Sequence, residues 1–398
     1  MKEKNKKIEN KESFYSKKNI YTHPLYKSTP LLARIDMELT ERCNNNCIHC
    51  YINQPEASIR AQEKELSTEK IKEILDEASS LGCLDVRFTG GEPLLRKDFK
   101  EIYIYARKLG LRANIFTNAT LIDENLCSVF RKIPPLESIE VTAYGMSQRT
   151  YERVTRIKGS YEKFRNGIDR LLEHNIPFKI KIPYFSFTKN EISIFEEWAA
   201  QLPWKDREPG YTVFFDLRAR RDSRGKNIII EKLRNTPEDS LRFLSRKKEE
   251  WLKQKKEFCL KFLEIPGDDL VTCGAGQGGG CVDAYGRFQL CMLLRHPQTI
   301  YDLNKGSLKD ALTRFFPKVR KMKALNPDYL YRCARCFISA LCEQCPARSW
   351  MEHGTLDTPV EYYCRTAHLE AQEIGLLKKG EKAWEIKDWK KRLHNIKS

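Results

Sequence analysis

The run Cys43-Asn44-Asn45-Asn46-Cys47-Ile48-His49-Cys50 brings three thiols together and offers no fourth cysteine nearby. A structural zinc site is closed by four protein ligands, whereas a catalytic metal site keeps one position open. Cysteine thiolates are also the usual holders of iron–sulfur clusters. On a four-iron cube, three thiolates leave one iron free for a substrate or cosubstrate. The competing reading is a structural zinc site closed by His49 or a distant group. Closed zinc sites usually present CxxC pairs, so the C-x3-C-x2-C spacing favours the cluster.

Outward from this run the pattern is regular. Leu32 to Leu39 alternates apolar and polar residues and predicts a strand, with Thr40 to Cys50 as the loop that leaves it. A helix follows, with Ser67 as N-cap, Glu69 in its first turn and an apolar face of Ile71, Ile74, Leu75 and Ala78. A second strand, Leu84 to Phe88, runs into Gly90-Gly91-Glu92-Pro93, where paired glycines let the backbone approach a ligand closely. Arg112 to Phe116 predicts a third strand, ending at Thr117-Asn118-Ala119-Thr120. Ser138 to Thr142, Phe178 to Ile182 and Tyr211 to Leu217 predict three more, separated by helices near 97–109, 123–132, 160–174 and 190–200. Strands alternating with helices imply an α/β fold with a parallel sheet and right-handed crossovers. Ligands bind such sheets at the carboxyl ends of the strands, so the three motif loops converge on one mouth.

The C-x3-C-x2-C run, the Gly-Gly-Glu-Pro turn and the Thr-Asn-Ala-Thr segment together resemble the radical SAM superfamily. The resemblance implies an open (β/α)6 barrel and a [4Fe-4S] cluster on Cys43, Cys47 and Cys50. It also implies S-adenosyl-L-methionine bound by that cluster, with Gly90, Gly91, Glu92 and Asn118 beside it. One part of the family pattern is altered. Many members carry a serine after the fourth strand and then an arginine. Here Thr142 keeps a hydroxyl, and Thr155 takes the arginine's place between Arg153 and Arg156. Thr142 and Arg156 are the corresponding candidate contacts.

Eight cysteines fall within residues 273–364, spaced C273-x7-C281-x9-C291 and then C333-x2-C336-x5-C342-x2-C345-x18-C364. Eight thiolates make two sets of four, enough to close two clusters. A pair of zinc ribbons is the alternative, because CxxC-x5-CxxC suits zinc equally well. The pattern resembles the SPASM domain, an auxiliary-cluster module of peptide- and protein-modifying enzymes. That resemblance implies an inner cluster on Cys273, Cys281, Cys291 and Cys345, and an outer one on Cys333, Cys336, Cys342 and Cys364. The total is then three [4Fe-4S] clusters. Cys83, Cys127 and Cys259 stand alone and read as buried thiols. Gly274-Ala275-Gly276-Gln277-Gly278-Gly279 matches a dinucleotide fingerprint, but that motif needs a strand before it and a helix after it. Val282 to Leu290 reads instead as a hairpin turning at Asp283-Ala284-Tyr285-Gly286.

At 398 residues the chain has room for two domains. The expected organisation is a basic extension (1–30), a radical SAM core (31–235), a helical bridge (236–272), the SPASM module (273–366) and a basic amphipathic C-terminal helix (367–398). The Lys/Glu-rich start lacks the apolar core of a secretory signal, and no stretch of about eighteen apolar residues appears. A cytoplasmic protein without a membrane segment is expected, with cysteines that serve metals rather than disulfides. The net charge of +17 invites a nucleic-acid reading, but the excess is spread over Lys2 to Lys18, Arg218 to Arg224 and Lys378 to Lys397. No aromatic stripe accompanies it. The Arg218, Arg220, Arg221 and Arg224 group reads as a solvated loop, with an acidic-ligand site as the alternative. Ile386, Trp389, Leu393 and Ile396 make an apolar helix face that docks back on the protein.

The functional expectation follows from the resemblance. Such enzymes reductively cleave S-adenosylmethionine to a 5′-deoxyadenosyl radical that abstracts hydrogen from the substrate. The leading reading is an oxidoreductase of the maturase kind, oxygen-sensitive and fed by a flavodoxin or ferredoxin, that modifies a peptide or protein. Only about thirty residues precede the first strand, too few for a winged-helix recognition domain, so a separate recognition protein is a candidate partner. The second reading is a cofactor-biosynthesis step on a small molecule. A third, of another class, is a zinc-containing nucleic-acid-binding protein. Sulfatase maturation is disfavoured, because Met292 follows Cys291 where those relatives carry an aspartate, although Asp216 could substitute.

Overall fold

The computed structural model describes residues 32–204 and 209–396. The expected extension (1–30) and Lys397 of the basic tail lie outside the described residues. Six strands alternate with helices: β1 (Arg34–Thr40), β2 (Asp85–Gly90), β3 (Arg112–Thr117), β4 (Leu136–Thr142), β5 (Lys179–Pro183) and β6 (Gly210–Thr212). All neighbouring pairs among them are parallel. The crossovers carry α1 (Thr68–Ser80), α2 (Phe99–Lys108), α3 (Glu124–Lys132), α4 (Gln148–Thr155), α5 (Ser160–Glu173) and α6 (Ile192–Ala200). Ser67 caps α1 as expected, its hydroxyl accepting from the Lys70 N–H at 3.1 Å.

Alternation decides which way each side chain of β1 faces. Ile35, Met37 and Leu39 enter the main core with Ile71, Ile74, Leu75 and Ala78 of α1. Asp36 and Glu38 therefore face the other side of the sheet. There Asp36 meets Arg87 at 3.3 Å, and Phe116 lies under both the Arg87 guanidinium (4.8 Å) and the Lys181 ammonium (4.0 Å).

The sheet does not end at β1. Strands β7 (Gly279–Val282), β8 (Arg287–Gln289) and β9 (Ile300–Asp302) extend it to the order β9-β8-β7-β1-β2-β3-β4-β5-β6. β7 runs parallel to β1, with Asp36 opposite Cys281, and the β7–β8 hairpin turns where the sequence predicts. The glycine run thus leads into a strand and not a helix. Gly276 sits at φ +73°, and a Cβ there would meet the Leu290 side chain at 2.7 Å.

Between the two parts lie α7 (Arg224–Leu233), α8 (Pro237–Leu244) and α9 (Lys248–Phe262); after β9 come α10 (Pro346–His353), α11 (Glu361–Ile374) and α12 (Trp389–Asn395). Ile396 is buried in the second apolar cluster, with Ile386, Trp389 and Leu393 packed against it, so α12 docks on the protein as its apolar face requires. Two expectations need correction. The sixth strand stops at Thr212 instead of Leu217: Val213 stays with the main core, while Phe215 and Leu217 pack into a separate apolar cluster. Helix α4 was hidden in the sequence among Gln148, Arg149, Glu152 and Arg153, with only Tyr151 and Val154 to mark its buried face. Among the described residues no helix is long and apolar enough to cross a membrane.

Candidate active site at the strand ends

The loop from Arg42 to Gln54 is held from three directions. At its ends, Gln54 N–H donates to Glu41 O at 2.7 Å. From below, Asn46 and Ile48 N–H donate to the last carbonyls of α4, Thr155 O (2.9 Å) and Val154 O (3.0 Å). From the side, Arg218 reaches in. Its guanidinium donates to Cys50 O (3.3 Å), Ile52 O (3.2 Å) and Asn53 Oδ1 (3.1 Å), and pairs with Asp222 at 2.8 Å. Arg218 is only 2% exposed, so the solvated-loop reading of this arginine is wrong. Arg220 is likewise engaged, at 2.6 Å from both Glu41 and Asp283. Arg221 donates to the Trp350 and Met351 carbonyls at 2.7 Å, while Arg224 stays exposed at the start of α7.

The loop presents Cys43, Cys47 and Cys50 within reach of one another's charge. Burial pushes the Cys43 and Cys47 thiols well up, and the neighbouring thiolates push Cys47 further. A cation beside them favours the thiolate forms of Cys43 and Cys47. Backbone N–H groups already point at two sulfurs: Asn45 N to Cys43 Sγ (3.4 Å) and Asn53 N to Cys50 Sγ (3.3 Å). Partly buried thiols with N–H donors match what an iron–sulfur cluster requires.

The other motifs lock onto this loop. Gly91 N–H donates to Thr40 O (2.7 Å) and Glu92 N–H to Arg42 O (2.9 Å). A Cβ on Gly90 would stand 2.1 Å from Thr40 O, and one on Gly91 would stand 2.2 Å from Arg42 O. These glycines are required by backbone packing against the cysteine loop, a reason the sequence reading did not supply. The buried Glu92 carboxylate accepts from Leu94 N (3.2 Å), Thr117 Oγ1 (2.8 Å) and Asn118 N (2.8 Å). Asn118 Nδ2 then donates to Asn44 Oδ1 at 2.9 Å, and Asn44 Nδ2 to Thr120 Oγ1 at 2.7 Å. One chain of hydrogen bonds therefore runs from the Gly-Gly-Glu turn through Asn118 to the cysteine loop.

Thr142 ends β4 half-buried, and Arg156 stands exposed past α4 at φ +57°. Thr155, in the arginine's place, is buried against Ser160 Oγ at 2.7 Å. The sequence reading passed over Lys226. Its ammonium donates to Asn53 Oδ1 (3.2 Å), and burial followed by the Arg218 charge lowers its pKa. Cys50 and Arg156 also act on it electrostatically. His49 packs among Tyr144, Phe185 and Phe215 at ring distances of 5.9, 5.2 and 5.3 Å, and burial lowers its pKa to about 4.

Among the eight C-terminal cysteines one set of four shares a cavity, and three of the others act on one another electrostatically. Cys333, Cys336, Cys342 and Cys364 line one cavity. Cys291 is within electrostatic reach of Cys273, and Cys345 of Cys291. Backbone N–H groups of Leu293 and Leu294 are directed at Cys291, and that of Gln344 at Cys342. Cys281 lies on β7, buried, and its strongest electrostatic neighbours are Glu38 and Asp36. Cys83, Cys127 and Cys259 are buried, and all fourteen cysteines are free thiols. Among the described residues no three Cys, His, Asp or Glu side chains converge as a single-ion cage. Asp216 is already engaged, accepting from Arg348 Nε (2.9 Å) and Tyr363 OH (3.0 Å).

A buried charge hub joins the two parts of the sheet. Arg295 donates to both oxygens of Glu38 (2.5 and 2.6 Å) and to Glu41 (3.2 Å), beside Asp283 and Arg220. Three carboxylates face two guanidinium groups, and burial pushes Glu38 up to about 7, with Arg295 opposing and Glu41 adding to the shift.

Residues 37–199 match the family described as the Radical SAM superfamily. Fe-coproporphyrin III synthase from Methanosarcina barkeri (strain Fusaro / DSM 804) is 31% identical over 175 residues, which cover 44% of this chain and 42% of that protein. The match thus spans less than half of that relative's length. Among solved structures, Streptococcus suis SuiB bound to the precursor peptide SuiA superimposes with a TM-score of 0.60 at 15% identity, covering 82% of this chain and 74% of that one. Native anSMEcpe with bound AdoMet gives 0.60 at 14% identity over 92% and 99%. Likeness at that identity establishes the fold, and it extends well past the matched domain. The family match covers less than half of the chain.

Proposed function

We propose that this member of the radical SAM superfamily, whose radical SAM domain lies at residues 37–199, modifies a peptide or protein by abstracting a hydrogen atom from it. In this reading Cys43, Cys47 and Cys50 hold a [4Fe-4S] cluster that binds S-adenosyl-L-methionine. When bound, that pair supplies one electron and the hydrogen-abstracting group. The chain's own residues do the rest. Asn45 and Asn53 N–H groups stabilise negative charge on the sulfurs. Gly90, Gly91 and Glu92 fix the loop's height over the strand ends, and Asn118 ties it to β3. Arg156 and Lys226 offer positive charge to the cosubstrate carboxylate, with Thr142 as a further contact.

Cys333, Cys336, Cys342 and Cys364 would hold an outer auxiliary cluster, and Cys273, Cys281, Cys291 and Cys345 an inner one. The second assignment is the looser, since Cys281 faces carboxylates. Asp216 is a poor substitute for a proton acceptor, because Arg348 and Tyr363 already occupy its Oδ1. That continues to disfavour sulfatase maturation. A low-potential electron donor such as a flavodoxin or ferredoxin is the partner this reading requires.

The observation that carries the peptide reading is the C-terminal module. It adds three strands to the barrel sheet and brings eight thiols with it. SuiB, similarly folded, is described with a precursor peptide bound. The identity to Fe-coproporphyrin III synthase favours a second reading, a step on a small molecule. Co-expression with a short peptide encoded beside the gene separates the two. Loss of two hydrogens or a new crosslink in that peptide, absent with Cys50→Ala, supports the first reading. An unchanged peptide favours the second.

A further inference from the structure

The outer cysteine cavity holds two polar groups that nothing in the protein satisfies. Besides Cys333, Cys336, Cys342 and Cys364, it is lined by Arg332 and Trp384. Arg332 Nε and Trp384 Nε1 are both buried and both lack a hydrogen-bond partner. A buried orphan N–H is rare in a folded protein, and two on one cavity point to a missing acceptor. Arg332 already donates from Nη2 to Cys364 Sγ at 3.4 Å.

Both donors are held in place. Arg332 Nη1 pairs with Glu361 (2.6 Å) and Asp328 (3.2 Å), which fixes the guanidinium fork. The Trp384 ring lies 4.9 Å from that guanidinium and 5.4 Å from the His368 ring. His368 ties the segment to a cluster cysteine: Nδ1 donates to Cys364 O (2.8 Å), and Nε2 accepts from Ala383 N–H (3.2 Å). This tautomer needs a neutral ring, and burial lowers the His368 pKa accordingly. Leu376, Leu377, Ala383 and Ile396 are buried, and Trp389 stacks on Phe337 at 5.9 Å, so residues 376–396 lie closed over this end of the molecule.

We infer that Arg332 and Trp384 donate hydrogen bonds to the sulfurs of the outer cluster, and that residues 376–396 form its cover, together raising that cluster's reduction potential. The inference rests on the outer set of four cysteines holding a cluster. One-electron reduction adds a negative charge to the cluster without a proton. N–H donors and a guanidinium aimed at the sulfurs favour that reduced state, and exclusion of water shapes the potential further. Arg332 and Trp384 act through the cluster as tuning residues and touch no substrate.

The test is an EPR-monitored redox titration, with dithionite as reductant, of the iron-loaded full chain and its Trp384→Phe and Arg332→Gln variants. The expected result is a lower potential for one auxiliary signal in each variant, with the other signals and the iron content unchanged. Unmoved potentials with iron retained overturn the inference. For a variant that loses iron, the wild-type protein labelled with ¹⁵N-indole tryptophan provides the second measurement. Coupling of one indole nitrogen and an exchangeable proton to the reduced outer cluster is expected, and its absence overturns the inference. Full iron content in a Cys364→Ser/Cys342→Ser variant would instead show that no outer cluster exists, a failure of the underlying reading.

Discussion

Arg218 shows how one side chain can decide whether a loop is ready for a cluster. Its guanidinium spends three contacts on the backbone and side chain between Cys50 and Asn53 and the rest on Asp222. Removing it leaves buried carbonyls without a donor and Asp222 without its partner. Arg218→Met is expected to cost roughly 2–4 kcal/mol of stability. It should also lower iron at the first site while leaving the auxiliary iron in place. Thermal melts and iron analysis under anaerobic conditions check both. The sequence shows the Arg218 to Arg224 run plainly but not its direction, because basic loops are usually solvated. Gly90 and Gly91 were legible as a site, and the structure adds a second demand for glycine there: close approach to Thr40 O and Arg42 O within the chain. Ala119 sits at φ +62°, so this chain accepts a strained backbone at that position.

Strands and helices were readable wherever burial is one-sided. β1 alternates, α1 repeats at three and four, and both appear within two residues of their expected ends. Reading failed where alternating burial occurs outside a strand, as in Val213 to Leu217, and where the buried face is thin, as in α4. It also could not show that the β7–β8 hairpin joins the barrel sheet, since Glu38 and its partner Arg295 lie 257 residues apart. That junction should respond to pH. The folded-state pKa of Glu38 is raised from 4.5 to about 7, so the folded protein holds a proton that the unfolded chain releases. Its contribution to stability is then fully present below about pH 4.5 and is lost as pH rises to about 7, where it levels off. Glu38→Gln is expected to remove that slope, on the order of 1–3 kcal/mol, and to melt higher than wild type at pH 8. A variant that keeps the wild-type slope between pH 5 and 7 would place the titrating proton elsewhere in the hub.

At the scale of the whole molecule, one continuous sheet carries two kinds of site. The strand ends of β1 to β3 present the cysteine loop with its Gly-Gly-Glu and Asn118 supports, and the added hairpin and C-terminal helices present the other thiols. Continuity of the sheet fixes the distance between them, as electron transfer or substrate anchoring across the barrel would require. The most direct test of the account is reductive cleavage of S-adenosylmethionine by anaerobically reconstituted protein, with Cys43/Cys47/Cys50→Ala as control. The account predicts 5′-deoxyadenosine from the wild type and none from the control. The control should also retain roughly eight of about twelve irons, because two four-thiol sets remain. Equal 5′-deoxyadenosine from both proteins, or a wild-type protein that takes up zinc in place of iron, would contradict it.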